Sequence, residues 1–95
     1  MALPSASTAT TTSIDAGAAS QTALAANTSR KGAIFVNDHA TGVIWLKLGA
    51  TAVANTGIRL NPGGGTFMIN INNLYTGIVT AIADGATRKL LITYW

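Results

Sequence analysis

From Arg30 onward, apolar and polar residues alternate in short runs separated by Gly, Asn, Asp and Pro. Across Arg30–Asn37, Ile34 and Val36 fall on one face of an extended strand and Ala33 and Phe35 on the other. Asn37-Asp38-His39-Ala40-Thr41-Gly42 then supplies turn chemistry. Val43–Leu48 is a second strand, with Ile44, Leu46 and Leu48 on one side, Val43, Trp45 and Lys47 on the other, and Gly49 at its end. A short third strand, Gly57–Leu60, is closed by Asn61-Pro62-Gly63-Gly64-Gly65, where Pro at the second position and Gly at the third suit a type II turn. Thr66–Ile71 follows, with Phe67, Ile69 and Ile71 opposite Met68 and Asn70, and breaks at Asn72-Asn73. Gly77–Ala83 and Arg88–Tyr94 are the last two strands, and Asp84-Gly85-Ala86-Thr87 between them reads as a hairpin-like connection built around Asp-Gly.

About six short strands at spacings of about ten residues predict an all-β fold, a small antiparallel sandwich or barrel. Residues 30–95 are its domain. Residues 1–29 are mostly Ala, Ser and Thr, with Leu3, Ile14 and Leu24 as isolated large apolar residues and Asp15 as the one charge before Arg30. That stretch shows neither a period of 2 nor of 3.6 and reads as an extended N-terminal arm, ordered by another surface through backbone hydrogen bonds. A short helix over Ala16–Ala26 competes with this reading, weakened by Gly17 and by the Ser and Thr content. In the second, fifth and sixth strands both faces carry apolar side chains, whereas a two-layer sandwich buries only one face of each sheet. The second face calls for a partner.

Composition points the same way. The chain has 95 residues and no cysteine, so disulfides are excluded, and oligomerisation is the remaining support for so small a core. Charged residues make up 9% of it against roughly 25% in an average soluble domain. Much of its surface is therefore not ordinary solvent-facing surface. The net charge of +3 comes from Arg30, Lys31, Lys47, Arg59, Arg88 and Lys89 against Asp15, Asp38 and Asp84. These cations are too spread out for a nucleic-acid footprint. The first residues do not form a secretory signal, and no run reaches the roughly 18 apolar residues of a membrane helix, which predicts a soluble protein made in the cytoplasm without membrane contact.

The order Asn27-Thr28-Ser29-Arg30, Ile34-Phe35-Val36-Asn37, Val43-Ile44-Trp45-Leu46, Leu60-Asn61-Pro62-Gly63-Gly64, Leu74-Tyr75-Thr76-Gly77 and a final apolar strand resembles small virion proteins of tailed bacteriophages. The resemblance covers about two thirds of the chain and is carried by strand and turn signatures. It implies a compact β-domain on the phage particle: a capsid cement or decoration protein, a head fibre base or a tail-associated part. Decoration proteins of this kind are often trimers that clamp neighbouring capsomers with terminal arms. The expectation is thus a non-enzymatic homotrimer bound between copies of the major capsid protein, made in the host cytoplasm and located on the virion.

The chemistry-bearing residues add little to this. Gly63-Gly64-Gly65 lacks the Lys, the Ser or Thr spacing and the helix of a phosphate loop. Asp38-His39 has no second His, no Cys and no Glu with which to build a triad or a metal site, so no catalytic residue, metal or cofactor is predicted. The candidate interface comprises Leu3, Ile14 and Leu24 as arm anchors, Arg30 and Arg59, with Lys31, as partners for acidic groups on a shell protein, and the aromatic Trp45, Tyr94 and Trp95. For Trp45 core packing competes, and for the cations a solvated role on edge strands. The other functional reading is a carbohydrate- or receptor-binding module of a head fibre or tail, using Trp45, Tyr75 and the Asn72-Asn73 loop.

Overall fold

The computed structural model describes residues 7–95. The described residues form eight strands: β1 (Thr10–Ala16), β2 (Gln21–Leu24), β3 (Ala33–Asn37), β4 (Ile44–Leu48), β5 (Ile58–Leu60), β6 (Thr66–Ile69), β7 (Val79–Ala83) and β8 (Arg88–Tyr94). They form two antiparallel sheets, ordered β1-β8-β3-β6 and β2-β7-β4-β5. The pairs β4 with β5, β3 with β6, β2 with β7 and β1 with β8 nest inside one another, as in a single long hairpin folded at residues 49–57. Two more pairings, β3 with β8 and β4 with β7, roll that hairpin into a sandwich. This strand order is the jelly roll.

Alternation places the core between the sheets. Phe35, Ile69, Leu90 and Ile92 point inward from one sheet and meet Ile44, Leu46, Leu60 and Val79 from the other, all essentially without solvent exposure. Phe67 joins from the side, its ring centroid 6.4 Å from that of Phe35. Strand β7 is buried along its whole length, which matches its near-continuous apolar sequence.

The segment 10–24 is extended, and it lies on this chain's own sheets. Thr10–Ala16 pairs with β8 residue for residue, from Thr10 opposite Tyr94 to Ala16 opposite Arg88. No helix forms over residues 16–26; Gln21–Leu24 is instead an edge strand against β7. Ala16, Ala23 and Leu24 belong to the main core. Three consecutive β-branched Thr residues favour the extended backbone, and the partner strand supplies what the weak apolar pattern of this segment does not.

Two connections depart from the sequence expectation. The Asp84–Thr87 segment is not a hairpin, because β7 and β8 lie in different sheets, and it carries the chain from one layer to the other. Thr87 turns there with φ of +60°, a left-handed conformation that a β-branched residue rarely adopts. Arg88 Nε donates to Asp84 Oδ1 at 3.0 Å across this corner and holds the Asp84 carboxyl below its usual range. In the Asn61–Gly65 loop, Gly63 has the φ of +77° that the third position of a type II turn requires. Its amide, however, donates to His39 O, and that of Gly64 to Asn37 O, so this loop is laced to the β3–β4 connection.

Candidate assembly surface

The two sheets differ on their outer faces. On the β2-β7-β4-β5 sheet, Trp45 and Ile82 are cross-strand neighbours that point away from the core, and the loop after β4 folds over them. Ala52 is buried against this pair, Ala54 and Val43 pack at its margin, and the Ala52 amide donates to Ser20 Oγ at 2.9 Å. Thr80 Oγ1 donates to Gly49 O, fixing the start of the same loop. The second apolar face of β4 and β7 therefore has an intramolecular cover. Trp45 is 6% exposed and forms a satellite core. Trp45→Ala is expected to cost about 3 kcal/mol, measured by urea denaturation, and to accelerate hydrogen exchange at the Ala52 amide before global unfolding.

The β1-β8-β3-β6 sheet has no such cover among the described residues. Its outer face carries two cross-strand rows, Thr11-Thr93-Ile34-Met68 and Ser13-Leu91-Val36-Thr66. Met68 is 44% and Leu91 38% exposed, while Ile34 and Val36 are half-buried between them. The centre is thus four apolar side chains, and the rim is Ser and Thr. Charge enters only at one end, where Asp15 pairs in register with Lys89 and Asp38 donates its amide to Lys89 O. Ile71 and Leu74, both exposed, lie in the segment after β6, and Asn73 Nδ2 ties that turn to Met68 O. A face with an apolar centre, a hydroxyl rim and no net charge has the composition of a protein contact surface.

The sequence-predicted residues are distributed differently. Leu3 lies outside the described residues. Leu24 is buried in the core and Ile14 packs against it, so neither is free to anchor on another protein. Arg30 is 3% exposed rather than a surface cation. Its Nη1 donates to Tyr75 O at 3.0 Å and Gly77 O at 3.1 Å, and its Nη2 donates to Ala25 O. Desolvation by burial pulls the guanidinium below its ordinary range. Arg59 is exposed, sits opposite Trp45 and donates from Nε to Asn61 Oδ1 at 2.8 Å. Tyr94 packs against the core at the end of β8. Trp95 exchanges backbone hydrogen bonds with Gly32 and lies so close over it that a Cβ there would meet the indole at 2.6 Å.

The sugar platform is not assembled. Trp45 is under its loop, and Tyr75 packs on the main core on the opposite side of that sheet, with its hydroxyl donating to Ile78 O at 2.9 Å. Asn73 spends its side chain on backbone groups of the turn. His39 is likewise occupied: Nδ1 accepts from the Gly42 amide at 2.7 Å, and Nε2 lies 3.2 Å from Arg88 Nη1. Leu91 belongs to the second apolar face read in the sixth strand, whereas Ile34, Val36 and Met68 were not singled out from the sequence as a contact surface. Alternation in β3 carried the signal, but joining the four into one patch requires the register. No protein-family model, curated protein or solved structure matches this chain.

Proposed function

We propose that the protein is a non-enzymatic structural component of a phage particle, a decoration or cement protein that binds between major capsid proteins as a homotrimer. The observation that carries this reading is the outer face of the β1-β8-β3-β6 sheet, which no described residue covers, with Leu91, Val36, Ile34 and Met68 at its centre. The virion assignment rests on the motif resemblance. The jelly roll is compatible with it, since this architecture recurs in viral capsid domains, although lectins and cupins share it.

Size explains why several copies would act together. Four strands about 4.8 Å apart and about five residues long give a face of roughly 300 Å² in plan. A stable one-to-one contact commonly needs about 800 Å² per partner. One copy then holds weakly, and three joined copies hold through effective concentration on a surface that repeats with symmetry.

The test is co-sedimentation with heads of the encoding phage, comparing wild type with the double variant Leu91→Glu, Met68→Glu. Both positions are exposed, so the variant is expected to keep its fold and melt within a few degrees of wild type while losing head binding by at least about tenfold. Undiminished binding of the folded variant would remove this face from the reading. Light scattering should give the mass of three chains. A monomer that still binds heads would exclude the trimeric clamp.

A further inference from the structure

The two sheets have four edge strands, and three of them are blunted against pairing. Strand β2 is broken by a register shift between Thr22 and Leu24, and β5 is three residues long with Arg59 at its centre. At β6, the Asn73 side chain donates from Nδ2 to Met68 O at 3.1 Å and accepts at Oδ1 from the Asn70 amide at 2.7 Å, filling the place of a neighbouring peptide. Strand β1 has no such device. It runs seven residues in unbroken register with β8 and carries no Pro, Lys or Arg. Its Thr-Thr-Thr-Ser start is neutral and favours extended backbone.

The direction of the free backbone groups follows from the next strand. Lys89 O accepts from the Asp38 amide and Trp95 exchanges hydrogen bonds with Gly32, so Lys89, Leu91, Thr93 and Trp95 direct their backbone groups to β3. Arg88, Leu90, Ile92 and Tyr94 therefore bond β1, through Ala16, Ile14, Thr12 and Thr10. Thr11, Ser13 and Asp15 turn their amides and carbonyls to the open edge. The Asp15 carbonyl agrees with that direction, since it accepts from Gln21 Nε2 at 2.6 Å beyond the sheet. Both backbone groups of Thr11 and of Ser13 have no protein partner among the described residues. Thr10–Ser13 are all exposed, and Thr10, Thr11 and Thr12 border a cleft of about 380 Å³ with Ala23, Leu24 and Tyr94, which leaves the approach to the edge clear.

We propose that β1 pairs with β1 of a second copy of this chain, antiparallel across a two-fold axis at Thr12. Thr11 then lies opposite Ser13 of the second copy and exchanges both hydrogen bonds with it, so every open group at these two positions gains a partner. Thr12 meets Thr12, and Thr10 meets Ile14, in the non-hydrogen-bonded pairs, where side chains come closest. Asp15 falls opposite Ala9, so no like charges face each other. The axis stands normal to the sheet, and both copies present their outer faces on the same side. One eight-stranded sheet results, and a face of roughly 300 Å² becomes one of roughly 600 Å² in plan, nearer the roughly 800 Å² of a stable contact. An edge contact with little apolar area is weak, with a Kd on the order of 1 mM, so it leaves the mass of the dilute protein unchanged and closes where copies are held side by side. It uses the edge and not the outer face, and it stands whether or not that face docks to a shell.

NMR of the isotope-labelled full chain, diluted from about 2 mM to about 0.05 mM, tests this. The Thr11 and Ser13 amides are expected to shift saturably with concentration, and those of Thr12 and Ile14, bonded to β8, to move less. In a mixture with unlabelled chain, isotope-filtered NOEs should join Thr12 Hα to Thr12 Hα and Thr10 Hα to Ile14 Hα of another copy. Ser13→Pro removes an amide that β8 does not use, so the fold is kept and pairing falls at least about tenfold. Thr12→Lys and Thr12→Glu, at an exposed position, should each weaken pairing a few-fold, and an equimolar mixture of the two should pair more tightly than either alone. The proposal is overturned by β1 amides that do not respond to concentration, by self-association that shifts Leu91 and Met68 instead, or by a folded Ser13→Pro that pairs as well as wild type. Where the Pro variant does not fold, the Lys and Glu mixture decides, and no gain on mixing overturns the proposal.

Discussion

A chain beginning at residue 29 is expected not to fold. Removing residues 1–28 deletes β1 and β2, strips one edge from each sheet and takes Ala16, Ala23 and Leu24 out of the core. The lost burial of Leu24 alone is worth about 2 kcal/mol. The ladder from Thr10–Tyr94 to Ala16–Arg88 adds backbone hydrogen bonds at roughly 1 kcal/mol each, and the β2–β7 pairing adds more. Together these losses reach the whole stability of a domain of this size, about 5–15 kcal/mol. The expected readout is a truncated chain with collapsed amide dispersion and no cooperative thermal transition. Removing only residues 1–9 stops short of β1, and that variant should melt cooperatively near the wild-type temperature. A 29–95 fragment that melts cooperatively would show residues 10–24 to be a dispensable arm after all.

That contrast marks where the sequence was legible. Six strands could be read because each contributes its own alternating apolar residues and is bounded by Gly, Asn or Pro. Thr10–Ala16 contributes only Ile14 and Ala16 as apolar residues to the inner side, and its strand character comes from β8, a partner more than seventy residues away. Asp84-Gly85 illustrates a second limit. Its turn chemistry is real, but local chemistry does not say whether the flanking strands pair with each other or pass to different layers. Here β7 pairs with β2 and β4, and β8 with β1 and β3.

The candidate surface follows the same division. The apolar second faces of β4 and β7 were visible as a pattern, yet their cover is the chain's own loop around Ala52, a segment of small residues with no periodicity to announce it. Arg30 misled for a related reason. A cation next to Lys31 at the head of a strand reads as surface charge, and its burial follows from Ala25, Tyr75 and Gly77 presenting carbonyls to one point. Convergence of backbone groups from distant segments leaves no residue-type signature.

Asn37 is the sharpest instance, and its replacement is expected to be the most damaging single substitution proposed here. It ends β3, and its turn propensity was evident, but its side chain is fully buried. Nδ2 donates to Gly42 O at 2.8 Å and Leu60 O at 2.9 Å, while Oδ1 accepts from the His39 amide at 2.9 Å. Its backbone amide donates to Gly65 O and its carbonyl accepts from Gly64. One residue thus satisfies the interior ends of both crossovers, 38–43 and 61–65. Asn37→Leu conserves volume and strands two buried carbonyls and one amide, at about 1–3 kcal/mol for each group left unpaired. A net loss of about 4 kcal/mol corresponds to a fall in Tm of roughly 15–30 °C for a domain this small. Asn37→Asp separates hydrogen bonding from shape. Its ionised carboxylate would face the two carbonyls with no donor, so folding favours the protonated acid and raises its pKa above the unfolded value near 3.9. The penalty should therefore be smallest below about pH 4 and grow as pH rises, a trend absent from Asn37→Leu. Thermal melts of the three proteins at several pH values decide it: an Asp variant whose deficit does not change with pH would mean that the Asn37 side chain is not the buried donor described here.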